Sequence, residues 1–186
     1  MATALDVAQY VYQRTGWIDA WRLQKLVFFS HAWSFAWDGR GLFESDVEAW
    51  PDGPVERELF RVNKHERVGR TSAILPGADV SRLTSRQREV IDAVLDHYRT
   101  RSTAELIAAS HTPIWAAARG TEGRHAQGGL IPVSEIRNWY TRASIAGEDV
   151  PVSPQSHVGA VSDVTDEMIQ SQVHRWRGVL DLLAER

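Results

Sequence analysis

The apolar residues in the first part of the chain recur mainly at helical spacing. Residues 3–14 place their apolar side chains on one face, and Gly16 follows as a stop. Residues 19–37 predict a second helix, with Asp19 as its N-cap and Gly39 just beyond its end. The middle of this second helix, LQKLVFFSHAWSFAW, is apolar on nearly all sides, which is typical of a buried central helix.

The remaining pattern predicts more helices and very little sheet. Alternation of apolar and polar residues at 45–50 favours one short strand. After the turn PDGP, the stretch PVERELFRVNKHE predicts a helix whose first residue is Pro54. Capping boxes at Thr84–Gln87 and Ser102–Glu105 begin two further helices. We therefore expect a mostly α, compact helical domain with at most a short β element near residues 45–50, plus a C-terminal helix.

The last third of the chain changes character. We expect a helical domain over residues 1–142, a Pro- and Gly-containing linker over 143–163 and an amphipathic helix over 164–186. The apolar residues of that last helix follow a heptad-like seam, at Ile169, Val173, Trp176, Leu180 and Leu183. The seam predicts docking on its own domain, self-association into a homo-oligomer or contact with a partner, and we favour an intermolecular role.

Composition excludes several classes of protein. The chain has 186 residues, a formal net charge of -3 and no cysteine, so disulfides and thiolate chemistry are ruled out. No apolar window is long enough to span a membrane, and we expect a cytoplasmic protein. The acidic balance argues against nucleic acid as a partner. Five of the eight tryptophans fall within residues 17–50, where we expect the core.

The chain contains no local motif for catalysis, metal binding or cofactor binding. The seven histidines lack the spacing of a zinc helix, and we expect no metal and no cofactor. His31 lies in the most apolar helix, where a hydrogen-bonded core histidine is the usual outcome. His111 lies at the end of a predicted helix, where a histidine commonly interacts with the helix terminus.

The order of three segments, LQKLVFFSHAWSFAWDGRGLF, EAWPDGPVERELF and ELIAASHTPIW, resembles the Panacea domain of the SocA-like antitoxin family of bacteria and phages. The resemblance covers about residues 3–142, and its most specific part is the Ala-Trp-x-x-Gly-Pro-Val element. The matching positions are Leu23, Lys25, Leu26, Gly41, Leu42, Phe43, Ala49, Trp50, Gly53, Pro54, Val55, His111 and Trp115.

The resemblance implies a non-enzymatic antitoxin that neutralises a cognate protein toxin by direct binding. It also implies that a set of residues defines the fold and lies near a surface for a partner. These residues are Lys25, Trp50, Gly53, Pro54, Val55, His111 and Trp115. We expect Trp50 to be buried against the second helix. We expect Gly53 to occupy a position where a side chain or an ordinary φ is disfavoured.

Two other functions stay open at this point. Many antitoxins repress their own operons, so the chain could be a DNA-binding autoregulator, although it has no appended helix-turn-helix. The least favoured alternative is a hydrolase that uses His31 or His111 with a distant carboxylate.

Overall fold

The computed structural model describes residues 1–63, 74–120, 128–147 and 149–154. Within these ranges it contains seven α-helices, one turn of 3-10 helix and a two-stranded antiparallel sheet. In chain order these elements are α1 (Ala4–Thr15), α2 (Ala20–Asp38), β1 (Val47–Trp50), β2 (Gly53–Glu56), α3 (Arg57–Asn63), the 3-10 turn (Val80–Arg82), α4 (Ser85–Tyr98), α5 (Thr103–Ser110), α6 (Pro113–Arg119) and α7 (Val133–Ala146).

The helix boundaries follow the capping residues that the sequence predicts. The side chain of Asp19 accepts a hydrogen bond from the first turn of α2, and Gly39 ends that helix in the left-handed region with φ 70°. Both predicted capping boxes are present, at Thr84–Gln87 for α4 and at Ser102–Glu105 for α5. Local sequence therefore determines where these helices begin, before any tertiary contact is considered.

The core surrounds α2, which is buried along most of its length as predicted. Phe29 stacks on Tyr98 of α4 with ring centroids 4.4 Å apart, and Trp33 meets Tyr140 of α7 edge-to-face at 5.1 Å. The indole N–H of Trp33 also donates to the Tyr98 hydroxyl at 3.2 Å. Aromatic pairs of this kind each contribute about 0.5–1.5 kcal/mol beyond their buried area. They hold α4 and α7 against the two sides of α2.

The expectation that the N-terminal tryptophans form the core is wrong for two of them. Trp33 is 2% exposed, but Trp17 and Trp21 are 46% and 37% exposed. Both exposed rings lie at or just before the start of α2, where the helix leaves the core. The spacing of apolar residues in the sequence does not show which end of an apolar helix is buried and which end is exposed.

The sheet is a hairpin in which β1 and β2 pair antiparallel, with Ala49 opposite Pro54 and Trp50 opposite Gly53. The prediction that Pro54 begins a helix is wrong, because Pro54 lies in β2 and α3 begins only at Arg57. Trp50 and Gly53 close the two-residue loop, so Ala49 and Pro54 form the next, non-hydrogen-bonded pair. A proline there costs no ladder hydrogen bond, which removes the usual objection to proline in a strand.

Both edges of the hairpin are covered by other parts of the chain. On the outer edge of β1, Ala49 donates its N–H to the Gly129 carbonyl at 3.0 Å. Gly128 allows this approach, because a Cβ there would lie 1.7 Å from the Ala49 oxygen. On the outer edge of β2, the Gln24 amide of α2 donates to the Glu56 carbonyl at 3.0 Å. Such coverage leaves neither strand as a free edge for pairing with another chain.

The end of the described region is fixed to α4 and to the turn that follows it. The last turn of α7 includes residues 143–146, which we expected to belong to the linker. Beyond α7, the Asp149 carboxylate accepts from Arg101 at 2.7 Å and the Pro154 carbonyl accepts from Arg86 at 2.9 Å. Arg86 in the first turn of α4 and Arg101, three residues beyond the end of α4, therefore hold this segment in place.

The fold class is confirmed as mostly α with one short β element. The predicted helix at 164–186, with its apolar seam, lies outside the described residues. Within the ranges that the structure describes, no helix combines the length and the apolar character needed to cross a bilayer.

Candidate functional site

The motif residues that lie far apart in the sequence meet at the turn of the hairpin. We define the hairpin corner as residues 50–54 together with four side chains that contact them, those of Trp21, Lys25, His111 and Trp115. These side chains come from the first two turns of α2, the end of α5 and the first turn of α6.

Lys25 forms the floor of the hairpin corner. The residue is 1% exposed, and its ammonium group donates to the Pro54 carbonyl at 2.9 Å. Burial lowers the pKa of Lys25 from 10.5 to about 7, although the nearby Asp52 carboxylate opposes the shift. At neutral pH the amine is therefore divided between its charged and neutral forms, which is unusual for a lysine.

Two aromatic rings form one wall of the corner. The His111 and Trp115 rings are stacked with centroids 3.9 Å apart, and the Trp115 indole N–H donates to the Trp50 carbonyl at 3.0 Å. His111 is hydrogen-bonded to the backbone of Pro51. Since a proline has no N–H, the Pro51 carbonyl is the acceptor and the imidazole is the donor. Both rings thus hold consecutive carbonyl groups of the turn.

His111 is in an environment that disfavours its charged form. Burial lowers the pKa of His111, and the charge of Lys25 lowers it further. The Asp52 carboxylate and the hydrogen bond to Pro51 act in the opposite direction without reversing the shift. The imidazole is therefore predominantly neutral at pH 7. His111 is also the C-cap residue of α5, as its predicted place at a helix end suggested.

Asp52 is the exposed carboxylate of the turn. Its Oδ2 accepts a hydrogen bond from the Trp21 indole N–H at 3.3 Å. Among the described residues, Asp52 has no ion pair within 4.0 Å. The corner therefore presents one carboxylate at its surface next to an indole edge.

Gly53 is the residue that allows the corner to close. Its φ is +99°, and a Cβ at this position would lie 2.3 Å from the Ser110 Oγ and 2.9 Å from the Lys25 Cε. The Ser110 hydroxyl is itself fixed, because it donates to the Ile107 carbonyl at 2.7 Å. The expectation of a special conformation at Gly53 is confirmed, and α5 and α2 approach the turn too closely for any side chain there.

Trp50 does not pack where we expected. Its ring is half-buried and lies against Phe60 of α3, with centroids 4.7 Å apart, rather than against α2. Its indole N–H donates to Glu48 at 2.8 Å, and Arg57 donates to the same carboxylate. Side chains alternate between the two faces of a strand. The Trp50 backbone therefore belongs to the corner, while its ring lies on the face that packs on α3.

Val55, the motif residue that follows Pro54 in β2, contributes to packing. Val55 is 6% exposed and pairs with Glu48 across the hairpin. Burial alone would raise the pKa of Glu48, but hydrogen bonds from Arg57 and Trp50 hold it below its usual value. The Glu48–Arg57 pair thus fixes the outer face of the hairpin where α3 begins.

The motif segment Gly41–Phe43 packs around the other candidate histidine. His31 is 1% exposed, accepts the Leu42 N–H at its Nδ1 at 3.2 Å and stacks on Phe43 at 3.8 Å. A Cβ on Gly41 would lie 2.4 Å from the His31 ring. Burial lowers the pKa of His31 to about 3, so the ring stays neutral. His31 is a hydrogen-bonded core histidine, as expected.

Lys25, Trp50, Gly53 and Trp115 are singled out by the resemblance, whereas Pro54 and His111 also have predicted local roles, and the structure places all six at or next to the corner. The sequence pattern does not single out Trp21 or Asp52. The proximity of Trp21 and Asp52 depends on how the hairpin packs on α2, which no local pattern encodes. Within the described ranges, no group of three or more His, Asp or Glu side chains could hold a metal ion.

Residues 23–116, half of the chain, match a family model described as Antitoxin SocA-like, Panacea domain. That span contains every corner residue except Trp21. Neither the curated proteins nor the solved structures gave a significant match to this chain.

Proposed function

The chain belongs to the SocA-like antitoxin family with a Panacea domain, and from this premise we propose that it neutralises a protein toxin by binding it directly. In this proposal the protein has no catalytic step of its own, and the hairpin corner is part of the surface that contacts the toxin. The setting in this proposal is a bacterial or phage toxin–antitoxin pair in the cytoplasm.

The observation that carries this proposal is the convergence of distant motif residues at one partly exposed corner. Lys25, Gly53 and Pro54 build its interior, where each is buried. Asp52 and His111 are exposed at its surface. Because the buried groups fix the turn, the exposed side chains are held in a defined position, and a surface of this kind suits recognition of another molecule.

The arrangement of titratable groups supports binding rather than catalysis. A general base has to reach a substrate proton within hydrogen-bonding distance. His31 is 1% exposed and hydrogen-bonded to the backbone of Leu42. The His111 ring donates to a turn carbonyl and is stacked on Trp115. Among the described residues, neither imidazole is hydrogen-bonded to a carboxylate and a nucleophile in the manner of a hydrolytic site.

The apolar seam Ile169, Val173, Trp176, Leu180 and Leu183 is proposed as a second contact region, for the toxin or for another copy of the chain. This part of the proposal rests on the sequence alone. Burial of each such side chain is worth roughly 1.5–3 kcal/mol, which favours contact over exposure to water.

The test is co-expression of the chain with the product of its neighbouring small gene under separate inducible promoters. We expect rescued growth and co-purification of the two proteins. The His111→Gln variant should also rescue growth when it folds, because a glutamine can still hydrogen-bond to the turn. A folded His111→Gln protein that bound the toxin but failed to rescue growth would contradict a pure binding mechanism.

A further inference from the structure

A cavity of about 420 Å³ lies where the beginning of α1 meets the segment before β1 and the junction of β2 and α3. We name it the Glu56 cavity, and its described lining residues are 1–5, 43–45, Glu56, Glu58, 76 and 77. Buried apolar residues form part of its wall, namely Ala2, Ala4, Leu5 and Phe43. No residue of the hairpin corner is among the described lining residues, so the cavity is a separate feature of the fold.

Three carboxylate groups line the Glu56 cavity, those of Glu44, Glu56 and Glu58, and none of the described lining residues is a lysine, arginine or histidine. Glu56 is the buried member of the three, with 6% of the residue exposed. Its Oε2 accepts the Leu59 N–H at 2.7 Å, while its Oε1 has no hydrogen bond among the described residues. Within the same ranges it has no ion pair within 4.0 Å. A buried carboxylate without a counter-ion is costly, and this one belongs to a residue that lines a cavity.

The positive groups of the described chain that lie near the cavity do not balance Glu56. The N-terminus of α1 borders the cavity, but the Asp6 carboxylate caps it and accepts the backbone N–H of the cap residue at 2.8 Å. Met1 is 87% exposed, and its α-amino group forms no ion pair with Glu56. Arg61 pairs with Glu58 at 3.1 Å on the exposed side of α3. The cavity therefore keeps an excess of negative charge.

We propose that the Glu56 cavity binds the side chain of a lysine from a protein partner, with the ammonium group on Glu56 and the four-carbon stem against the apolar wall. The inference rests on the proposed function only for the identity of this partner, which is the toxin. The chemistry of the site stands on the residues that line the cavity. Its volume of about 420 Å³ falls within the ~300–1,000 Å³ of typical ligand sites, so it can hold one long side chain.

The arrangement of the acidic groups favours an extended organic cation over a metal ion. Within the described ranges, no group of three or more His, Asp or Glu side chains could hold a metal ion. A lysine carries its charge at the end of an apolar stem. Its methylene groups can cover Leu5 and Phe43 while its ammonium group reaches Glu56.

The hydrogen bond from Leu59 favours lysine over arginine. A guanidinium group binds a carboxylate best through two parallel N–H groups, one to each oxygen. The Leu59 N–H already occupies Oε2 of Glu56, which leaves Oε1 as the open acceptor. An ammonium group is a compact point charge that needs no such pair of oxygens, and its remaining N–H groups can bond to Glu44 at the rim or to water.

The first experiment uses a small probe and needs no toxin. Nα-acetyl-lysine methylamide is titrated into the isotope-labelled, full-length protein, and the Leu59 amide resonance is followed by NMR because that N–H is bonded to Glu56. Nα-acetyl-norleucine methylamide, which has the four-carbon stem without the ammonium group, is the matched probe. We expect a saturable shift with the lysine probe and at least about tenfold weaker binding of the norleucine probe. No saturable shift with the lysine probe, or equal binding of the two probes, would overturn the inference.

Three variants connect the response to the cavity, and each is first checked for an unchanged unfolding temperature. Glu56→Gln removes the charge while its amide oxygen can still accept the Leu59 N–H, so binding of the lysine probe should weaken at least about tenfold. Glu44→Gln removes a charge from the exposed rim and should weaken binding about two- to fivefold. Glu135→Gln, at an exposed position in the first turn of α7, is the control and should bind the probe as wild type does.

If Glu56→Gln fails the folding check, the titration of Glu44→Gln decides the question alone. Wild-type binding by the deciding variant would place the probe outside the cavity and overturn the inference.

A second experiment separates this inference from the proposed function. The toxin from the neighbouring gene is titrated by calorimetry into wild type and the same three variants. We expect weaker toxin binding for Glu56→Gln and Glu44→Gln and unchanged binding for Glu135→Gln. If toxin bound all four proteins equally, the inference would fail and the antitoxin function would stand. If wild type did not bind toxin but still bound the lysine probe, the function would fail and the inferred site would stand.

Discussion

The Lys25 ammonium group and the Pro54 carbonyl lie 2.9 Å apart beneath the hairpin turn, where 1% of the lysine is exposed. This one hydrogen bond joins the second turn of α2 to the strand that follows the hairpin turn. A methionine could occupy a similar volume without the cost of burying a charge. The lysine is therefore poorly explained by stability alone, and we infer that it fixes the position of the corner.

Lys25→Met should change how stability depends on pH. In the wild type the folded pKa is about 7 and the unfolded pKa is 10.5, so between these values the unfolded chain binds more protons. The free energy of unfolding therefore rises with pH across this window. We expect a rise of about 3 kcal/mol between pH 7 and pH 9.5 in wild type, and its loss in Lys25→Met.

The measurement is urea denaturation at a series of pH values within that window. The described residues contain one lysine, so the comparison is simple to assign. The methionine variant should be at least as stable as wild type at pH 7, where burying the charge costs most. Parallel pH profiles for the two proteins would show that Lys25 keeps its ordinary pKa in the fold.

Gly53→Ala should destabilise the protein strongly. The substitution combines a positive φ of +99° with a Cβ only 2.3 Å from the Ser110 Oγ. We expect a loss of about 2–5 kcal/mol, from backbone strain and overpacking together. Gly39→Ala is the matched control, since its φ is also positive, at +70°, but no atom lies within 4 Å of its Cβ position.

The control variant should lose only about 1–2 kcal/mol, the cost of the backbone conformation alone. Thermal and urea unfolding of both variants gives the difference. Similar losses for the two alanines would mean that α5 and α2 can move away from the turn, and that the corner is not closely packed.

Sequence predicted the helices better than it predicted the corner. Asp19, Gly39 and the capping boxes at Thr84–Gln87 and Ser102–Glu105 act within a few residues of themselves, so their effect could be inferred locally. Pro54 has two permitted local roles, the first position of a helix and a non-hydrogen-bonded position of a strand. Only its pairing with Ala49 decides between them.

The site itself depends on contacts that a single sequence does not encode. Lys25 and Pro54 are 29 residues apart, and Trp115 and Trp50 are 65 apart. Their contacts require the hairpin to pack on α2 and α6 to pack on the hairpin. The resemblance identified these residues together. Only their contacts in the folded protein explain why they belong together.

Trp50→Ala should cost less than truncation of a core tryptophan. Trp50 is half-buried and retains contact with solvent, although its ring packs on Phe60. We expect a loss of about 1–3 kcal/mol, below the ~3–5 kcal/mol typical of a buried aromatic residue. Trp33→Ala is the comparison, because Trp33 is 2% exposed and donates to Tyr98. Calorimetric unfolding that ranked Trp50→Ala as the more damaging change would place the Trp50 ring in the core.

Truncation tests the proposed role of the apolar seam, and the structure indicates where to cut. A chain ending after Ala143 would remove the last turn of α7 and the hydrogen bonds of Asp149 with Arg101 and of Pro154 with Arg86. Residues 1–154 form one compact unit, so a chain ending after Pro154 should unfold at nearly the wild-type temperature.

We expect this shorter chain to lose self-association or toxin binding, because it lacks the seam. Light scattering gives the mass of the free protein, and growth rescue with the toxin gene gives the function. Trp176→Glu in the full-length chain is the point-mutant counterpart and should reproduce the defect, since a carboxylate in the seam opposes apolar contact. A shortened protein that kept its fold, its mass and full rescue would show that the seam contacts neither the toxin nor a second copy.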